Sequence, residues 1–445
     1  MTGMVLTTIS AVLFLVVFFA DLFGLHTNPY IGIVVFLMLP ALFVLGLLLI
    51  PLGAWVERRR RAAGRAPSGV HWPRIDLNDP SQRMAAVIAF ALTMANIVIV
   101  SLAAYRGVEY MDSVQFCGQV CHTPMKPEFV AHDKQPHAGV KCVSCHVGPG
   151  AGSFVKAKLA GTRRVLAAAR QNYARPILAA PDRLLSARET CEQCHWSEQF
   201  HGDKIRRILE HANDEKNTES VTTLRIHVGG GSGTLGTARG IHWHMNLANE
   251  IEYIASDATR QVIPYVRMKD TSGNVREYVA AGVTPEQASM GERRRMDCTD
   301  CHNRPSHAIA ATPERAVDES MALGHIPATL PFIRREAVKV LKASHPSQEA
   351  AAGEIARTLR NFYQADRPEI VATRSPDLER AVVAVQDLYR RNVFPEMKVG
   401  FGTHPNNIGH VDAPGCFRCH DDNHTAKDGK KIGQDCETCH SIEQG

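Results

Sequence analysis

Six short motifs use every cysteine in this chain, and nothing else in it constrains the fold as strongly. They are Cys117-Gly-Gln-Val-Cys121-His122, Cys142-Val-Ser-Cys145-His146, Cys191-Glu-Gln-Cys194-His195, Cys298-Thr-Asp-Cys301-His302, Cys416-Phe-Arg-Cys419-His420 and Cys436-Glu-Thr-Cys439-His440. C-x-x-C-H is the attachment signature of c-type haem. Two thiols bond to the haem vinyl groups, and the following histidine is set to ligate the iron from the proximal side. The first copy carries one extra residue between its cysteines. Tetrahedral zinc would pair motifs, but it gives no reason for a histidine straight after every second cysteine. Disulfides leave that histidine unexplained too. The expectation is six c-type haems, each holding iron.

Such haems are attached outside the cytoplasm, so the chain must carry its motifs across a membrane. Three apolar stretches precede them: 4–23, 30–55 with Pro40 and Pro51 inside it, and 84–104. Each is long enough to cross a hydrocarbon core of roughly 30 Å. The first lacks a basic leading segment and a small-residue cleavage site, which favours a retained span over a cleaved signal peptide. Between the second and third stretches lie Arg58, Arg59, Arg60, Arg61, Arg65, Arg74 and Arg83, whereas Gly24–Pro29 has no Lys or Arg. The positive-inside rule then puts the N-terminus and residues 56–83 in the cytoplasm and everything after Arg106 outside, in the periplasm of a bacterial inner membrane.

Charge follows the same division. Residues 1–106 hold eight Arg against four acidic residues, a balance of +4 out of +5 for the whole chain, so the other 339 residues carry about +1. The basic balance belongs to the anchoring loop and gives no ground for nucleic-acid binding. The fold expected is mainly α with little regular structure: a three-helix membrane anchor (1–106), a four-haem domain (107–310), a helical spacer (311–400) and a two-haem segment (401–445). Thr222–Val228 reads as a strand, and Val262–Lys269 with Asn274–Val279 as a small hairpin about Asp270–Gly273. Leu330–Ser344, Ala351–Gln364 and Asp377–Asn392 read as amphipathic helices. The glycine run 229–236 lacks the Gly-Lys-Ser/Thr ending of a phosphate loop and reads as a plain loop. The 401–445 segment has little apolar content of its own, so its haems are expected to serve as its core.

Of 21 histidines, six follow the motifs, leaving fifteen as candidate sixth ligands. His137, His242, His307, His410 and His424 lead; His201, His211, His244 and His404 rank behind them, and His26 and His71 lie in or near the membrane part. His307 is too close to His302 to cross its own haem, so it is read as reaching a neighbouring iron. At the first motif, Met125 offers a thioether as an alternative iron ligand to His122, which would raise the potential.

Cys121-His-Thr-Pro-Met125, Gln135-Pro-His137, Cys142-Val-Ser-Cys145-His146 and Cys298-Thr-Asp-Cys301-His302 with His307 resemble the NapC/NirT/NrfH family of membrane-anchored quinol dehydrogenases, over roughly residues 84–310. Cys191-Glu-Gln-Cys194-His195-Trp196, Gly240-Ile-His-Trp-His244 and Gly415-Cys-Phe-Arg-Cys-His420 are similar to the larger three-span relatives of metal-reducing bacteria. The resemblance implies oxidation of membrane quinol (menaquinol among the quinols) near the first haem, with periplasmic c-type cytochromes or a terminal reductase as the receiving partners. It implies His307 for the second haem, His137 for the fourth, and His242 or His244 for the third. It also implies a lysine and an acidic residue at the quinol: Lys156 or Lys158, with Asp112, Asp133, Glu109 or Glu128 as the acid, since no Asp or Glu occurs from 134 to 181. The first motif's spacing and Met125, three residues after His122 where the family has two, depart from the pattern. Two other readings compete: a haem-based nitrite or hydroxylamine reductase, which needs an open iron, and a membrane-anchored conduit fed by another protein.

Overall fold

The computed structural model describes residues 2–22, 38–63, 76–120, 122–148, 150–177, 186–196, 200–229, 240–245, 249–270 and 272–443. Cys121, His26, His71, Arg65, Arg74, the loop 24–29 and nearly all of the glycine run lie outside the described residues. Contacts divide the chain into two compact units, Met1–Val120 and Cys121–Gly445.

The first unit is built from α1 (Thr2–Leu22), α2 (Leu39–Ala62) and α3 (Pro80–Met111). Among the described residues two helices, Leu39–Arg60 and Pro80–Met111, are long and apolar enough to cross a membrane; the described apolar run of α1, Thr2–Val17, is shorter. Pro40 sits in the first turn of α2, where its missing N–H costs nothing, while Pro51 lies inside the helix. Asp79 caps α3 by accepting a hydrogen bond from the Ser81 N–H, with Pro80 at the first helical position. This pairing of a capping side chain and proline marks a helix start.

Small residues let α1 and α2 approach closely. A methyl group on Gly46 would meet Thr7 Oγ1 at 2.3 Å and the Gly3 carbonyl at 2.9 Å. In lipid there is no hydrophobic drive between helices, so association relies on such close backbone packing.

The second unit holds more sheet than the one strand and one hairpin expected from sequence. β1 (Asp203–His211) pairs antiparallel with β2 (Glu219–His227), and β2 with β8 (His440–Glu443), in a three-stranded sheet. β3 (Glu250–Ile254), β4 (Tyr265–Lys269), β5 (Val275–Val279), β6 (Arg293–Arg295) and β7 (Thr425–Ala426) form a five-stranded sheet in the order β6-β3-β4-β5-β7. The expected hairpin is β4–β5, with Lys269 opposite Val275. The strand expected at Thr222–Val228 is β2, whereas β1 gives no sequence signal because it carries six charged or His residues in nine and shows no alternation.

The segment 401–445 adds an edge strand to each sheet, β7 on β5 and β8 on β2. It is therefore anchored by ladder hydrogen bonds to the rest of the unit.

Between Thr312 and Asn392 the amphipathic pattern holds. Helices α10 (Pro313–Ala322), α11 (Ile333–Leu341), α12 (Gln348–Asp366), α13 (Pro368–Thr373) and α14 (Ser375–Asn392) bury Val317, Ile326, Leu330, Ile355, Leu359 and Val385 in one apolar cluster. Ser347 caps α12 by accepting from the Ala350 N–H at 3.1 Å. Buried Asp318 joins this bundle to the sheet: it accepts from both the N–H and Nδ1 of His211 at 3.1 Å, and from Arg334 at 2.9 and 2.8 Å. His211 is thus a structural core histidine.

Replacing Gly46 with Leu should cost the helix pair on the order of 1–3 kcal/mol. Thermal unfolding in detergent, followed by helical circular dichroism, would show the lower midpoint, whereas Gly53→Ala, at a position with open space around it, should leave it unmoved.

Candidate haem-ligand sites

Each motif sits on a tight local turn. Cys117 lies in a five-residue π-helical turn, Phe116–Val120, between α3 and α4 (His122–His132). A π-turn accommodates one residue more than an α-turn, which accounts for the extra residue of the first motif. The other motifs occupy α5 (Cys142–His146), the turn 191–194 after α7 (Ala187–Thr190), α9 (Cys298–Cys301), the 3-10 turn Gly415–Arg418, and α15 (Cys436–Cys439).

Five of the six motif histidines face a second imidazole from elsewhere in the chain. Ring centroids lie 6.2 Å apart for His146 and His307, 6.0 Å for His195 and His137, 6.4 Å for His302 and His242, 5.8 Å for His420 and His244, and 6.1 Å for His440 and His410. Two imidazoles each bonded at about 2 Å to opposite sides of one metal ion have centroids roughly 6 Å apart. The side chain of His122 is outside the described residues.

Hydrogen bonding orients the rings. Nδ1 of His137 meets the Pro305 carbonyl at 3.1 Å, His307 that of Glu128 at 3.1 Å, His242 that of Val228 at 3.1 Å, His244 that of Ile241 at 2.9 Å, and His420 that of Gly433 at 2.9 Å. A carbonyl only accepts, so Nδ1 carries the proton and Nε2 keeps its lone pair. This is the usual outer support of a metal-ligating histidine. Burial pushes the pKa of His242, His244 and His307 below the ordinary imidazole value. His146 and His302 are open to solvent but crowded by protein in their crevices, and desolvation lowers them likewise. The neutral imidazole is the form that binds metal.

A cavity of about 310 Å³ between His244 and His420 is lined by Trp243, Val266, Tyr278, Cys419 and Cys439. An apolar hollow with an imidazole at each side and a motif cysteine on its wall fits a haem plane.

Neighbouring sites share parts. Pro305 and His307 serve the third and second pairs. The side chains of Cys191 and Cys298, from the third and fourth motifs, lie next to each other. His242 and His244 serve the fourth and fifth pairs, and the fifth cavity reaches Cys439 of the sixth motif. The fourth and fifth motifs also interlock through the residues between their cysteines. Buried Arg418 donates to the carbonyls of Asp300 at 2.6 Å, Arg260 at 2.9 Å and Gly415 at 2.8 Å. Buried Asp300 is in turn held by Tyr253 and by Arg260 at 3.1 Å.

Several expectations are revised. His424 is fully engaged by protein, its Nδ1 with Asp421 at 2.8 Å and its Nε2 with the Ile263 carbonyl at 2.7 Å, and it faces no motif histidine. His137 faces the third motif, not the fourth; His242 faces the fourth, not the third. His244, ranked behind His242, faces the fifth. The sequence treated His242 and His244 as alternatives, but they lie in one 3-10 turn, Ile241–Met245. At three residues per turn, positions two apart point in different directions, so each serves a different site. His132, not singled out from sequence, is buried beside His307 with its Nε2 unbonded, and buried His404 has an unbonded Nε2 too.

The quinol-site candidates fall in both units, Glu109 and Asp112 in the first, Glu128, Asp133 and Lys156 in the second. Glu109 pairs with Arg106, Glu128 with Arg304, and Asp133 with Lys134. Asp112 caps α3 at its C-terminus. Lys156 is exposed on α6 (Ala151–Ala169), and the side chain of Lys158 is outside the described residues. Met125 is half-buried in α4.

Among known proteins, the chain is 42% identical over 417 residues to the cytochrome c-type protein ImcH of Geobacter sulfurreducens, a match covering 93% of this chain and 82% of the relative. The chain belongs to the ImcH family. No family model matches it. No solved structure is significantly similar to it either. As an ImcH-type protein it is a membrane multihaem cytochrome c, with covalently bound haem iron and a part in electron transfer.

Gly240 is what lets the shared turn form. Its φ is +74°, and a Cβ there would meet the His227 carbonyl oxygen at 2.3 Å. Only glycine tolerates both the left-handed backbone and that approach. In this ImcH-type chain, Gly240→Ala should displace His242 and His244 together, so that the low-spin signals of two haems change in the electron paramagnetic resonance spectrum while the others stay.

Proposed function

We propose that this chain is a six-haem quinol dehydrogenase of the bacterial inner membrane, anchored by three spans, with its haem domain in the periplasm. The observation that carries the reading is the set of five facing imidazole pairs, one for each motif after the first. Bound haem iron supplies the one-electron redox chemistry.

The protein's own residues do the rest. The twelve motif cysteines tether the haems. His122, His146, His195, His302, His420 and His440 are the proximal ligands, and His307, His137, His242, His244 and His410 the distal ones to the second through sixth. Met125 is the candidate second ligand at the first. Carbonyl bonds at Nδ1 keep Nε2 deprotonated and aimed. Sites that share Pro305–His307, the Cys191–Cys298 contact, the 241–245 turn and the fifth cavity follow one another in chain order, which supports passage from the second motif towards the sixth.

Quinol oxidation releases two protons, each needing an acceptor in hydrogen-bond reach. The Nζ of Lys156 or Lys158 and the carboxylates of Asp112 and Asp133 are the candidates for that role. The NapC/NirT-like stretch around the first two motifs supports placing the donor there, and periplasmic cytochromes or a reductase as recipients. The reductase alternative requires an open iron, and the five facing pairs weigh against it.

The full-length protein should show a mass excess corresponding to six haems and a low-spin spectrum; His244→Ala should convert one haem to a high-spin form that binds cyanide. Because His302 and His242 are nearly parallel at 4° while His420 and His244 stand at 86°, ferric low-spin signals of both rhombic and strongly anisotropic type are expected. A reduced menaquinol analogue should reduce the haems of the purified protein. No reduction, in a sample that dithionite does reduce, would instead favour a conduit fed by another protein.

A further inference from the structure

The nineteen-residue helix α6 has no assigned role beyond its two lysines. Leu159, Val165 and Leu166 are 67, 47 and 50% exposed. At 100° per residue they fall within an arc of about 120°, with Arg163 and Arg170 along one edge of it and Lys156 and Arg164 farther round the helix. The stretch 134–181 contains eight Lys and Arg and not one Asp or Glu. A chain segment with uncovered aliphatic side chains and unopposed cations matches the composition of helices that lie in a membrane interface.

Its position in the chain agrees. Only 39 residues separate the end of α3 at Met111 from Ala151. Just beyond the helix, Tyr173 packs against the cluster of Ala131, Ile309 and Phe394, so the C-terminal end is held to the body of the unit. Two propionates on a nearby haem would engage some of the eight cations but would leave the aliphatic stripe uncovered.

We propose that α6 is a membrane-surface helix that seats Leu159, Val165 and Leu166 among acyl chains of the outer leaflet, with Arg163, Arg164 and Arg170 on anionic phospholipid headgroups. Long basic side chains bury their stems and keep their heads in the headgroup layer. This seating depends on the topology proposed above but not on quinol chemistry.

The test uses the full-length haem-loaded protein in vesicles of phosphatidylcholine with or without phosphatidylglycerol, each doped with a phospholipid bearing a photoactivatable acyl chain. After illumination and proteolysis, mass spectrometry should find lipid adducts on 151–170 in the phosphatidylglycerol vesicles. Arg163→Glu with Arg170→Glu should cut those adducts about tenfold or more, the effect expected of reversing cations at an anionic surface. Adducts on α2 and α3 should persist as the internal control, and an unchanged haem spectrum should report the intact fold. Leu159→Ser with Leu166→Ser, which keeps the charge, should lower acyl-chain labelling as well. Labelling of α6 no greater than that of the soluble helix 348–366, or labelling indifferent to headgroup charge, would overturn the proposal. Loss of the α2 and α3 adducts would point instead to a failure of the membrane topology.

Discussion

A single kind of hydrogen bond, from histidine Nδ1 to a backbone carbonyl, underlies the arrangement of this protein. It recurs at His137, His242, His244, His307 and His420. Each leaves a lone pair on Nε2. Helix of more than two turns lies in the first unit, in α4 and α6 and across residues 313–392, while the motifs themselves sit on short turns.

The helical stretch 313–392 follows different physics from the motif regions beside it. It closes a conventional apolar core around Leu330, Ile355 and Leu359, with no cofactor required. Its attachment is polar and buried, through Asp318 to His211 and Arg334. This gives the motif regions a rigid flank whose stability does not depend on haem.

Legibility from the sequence followed how local each signal was. Cysteine spacing is a property of five or six adjacent residues, so all six motifs could be read directly. Helical periodicity in 311–400 is equally local, and the helices stand within a few residues of where the apolar repeat puts them. Strand β8 was invisible because its partner β2 lies more than two hundred residues away, and four residues show no pattern. Distal histidines are harder still, since a ligand's partner is decided by tertiary approach. His424 looked suitable beside the fifth motif, but Asp421 and the Ile263 carbonyl had already claimed both nitrogens. His244 looked redundant beside His242, because spacing alone does not say that the backbone there winds helically rather than running extended, where positions two apart share a face. Arg418 and Asp300 lie inside motifs, where cysteine spacing says nothing of them; the structure shows them bolting two motifs together.

The 3-10 turn at 241–245 carries a mechanical consequence. Two imidazoles that face different motif histidines hang from one crank of five residues, so any twist of that crank moves both in a correlated way. Adjacent centres linked like this would not tune independently: evolution or mutation that adjusts the affinity of one for an electron drags its neighbour along, and the gradient between them is protected against drift.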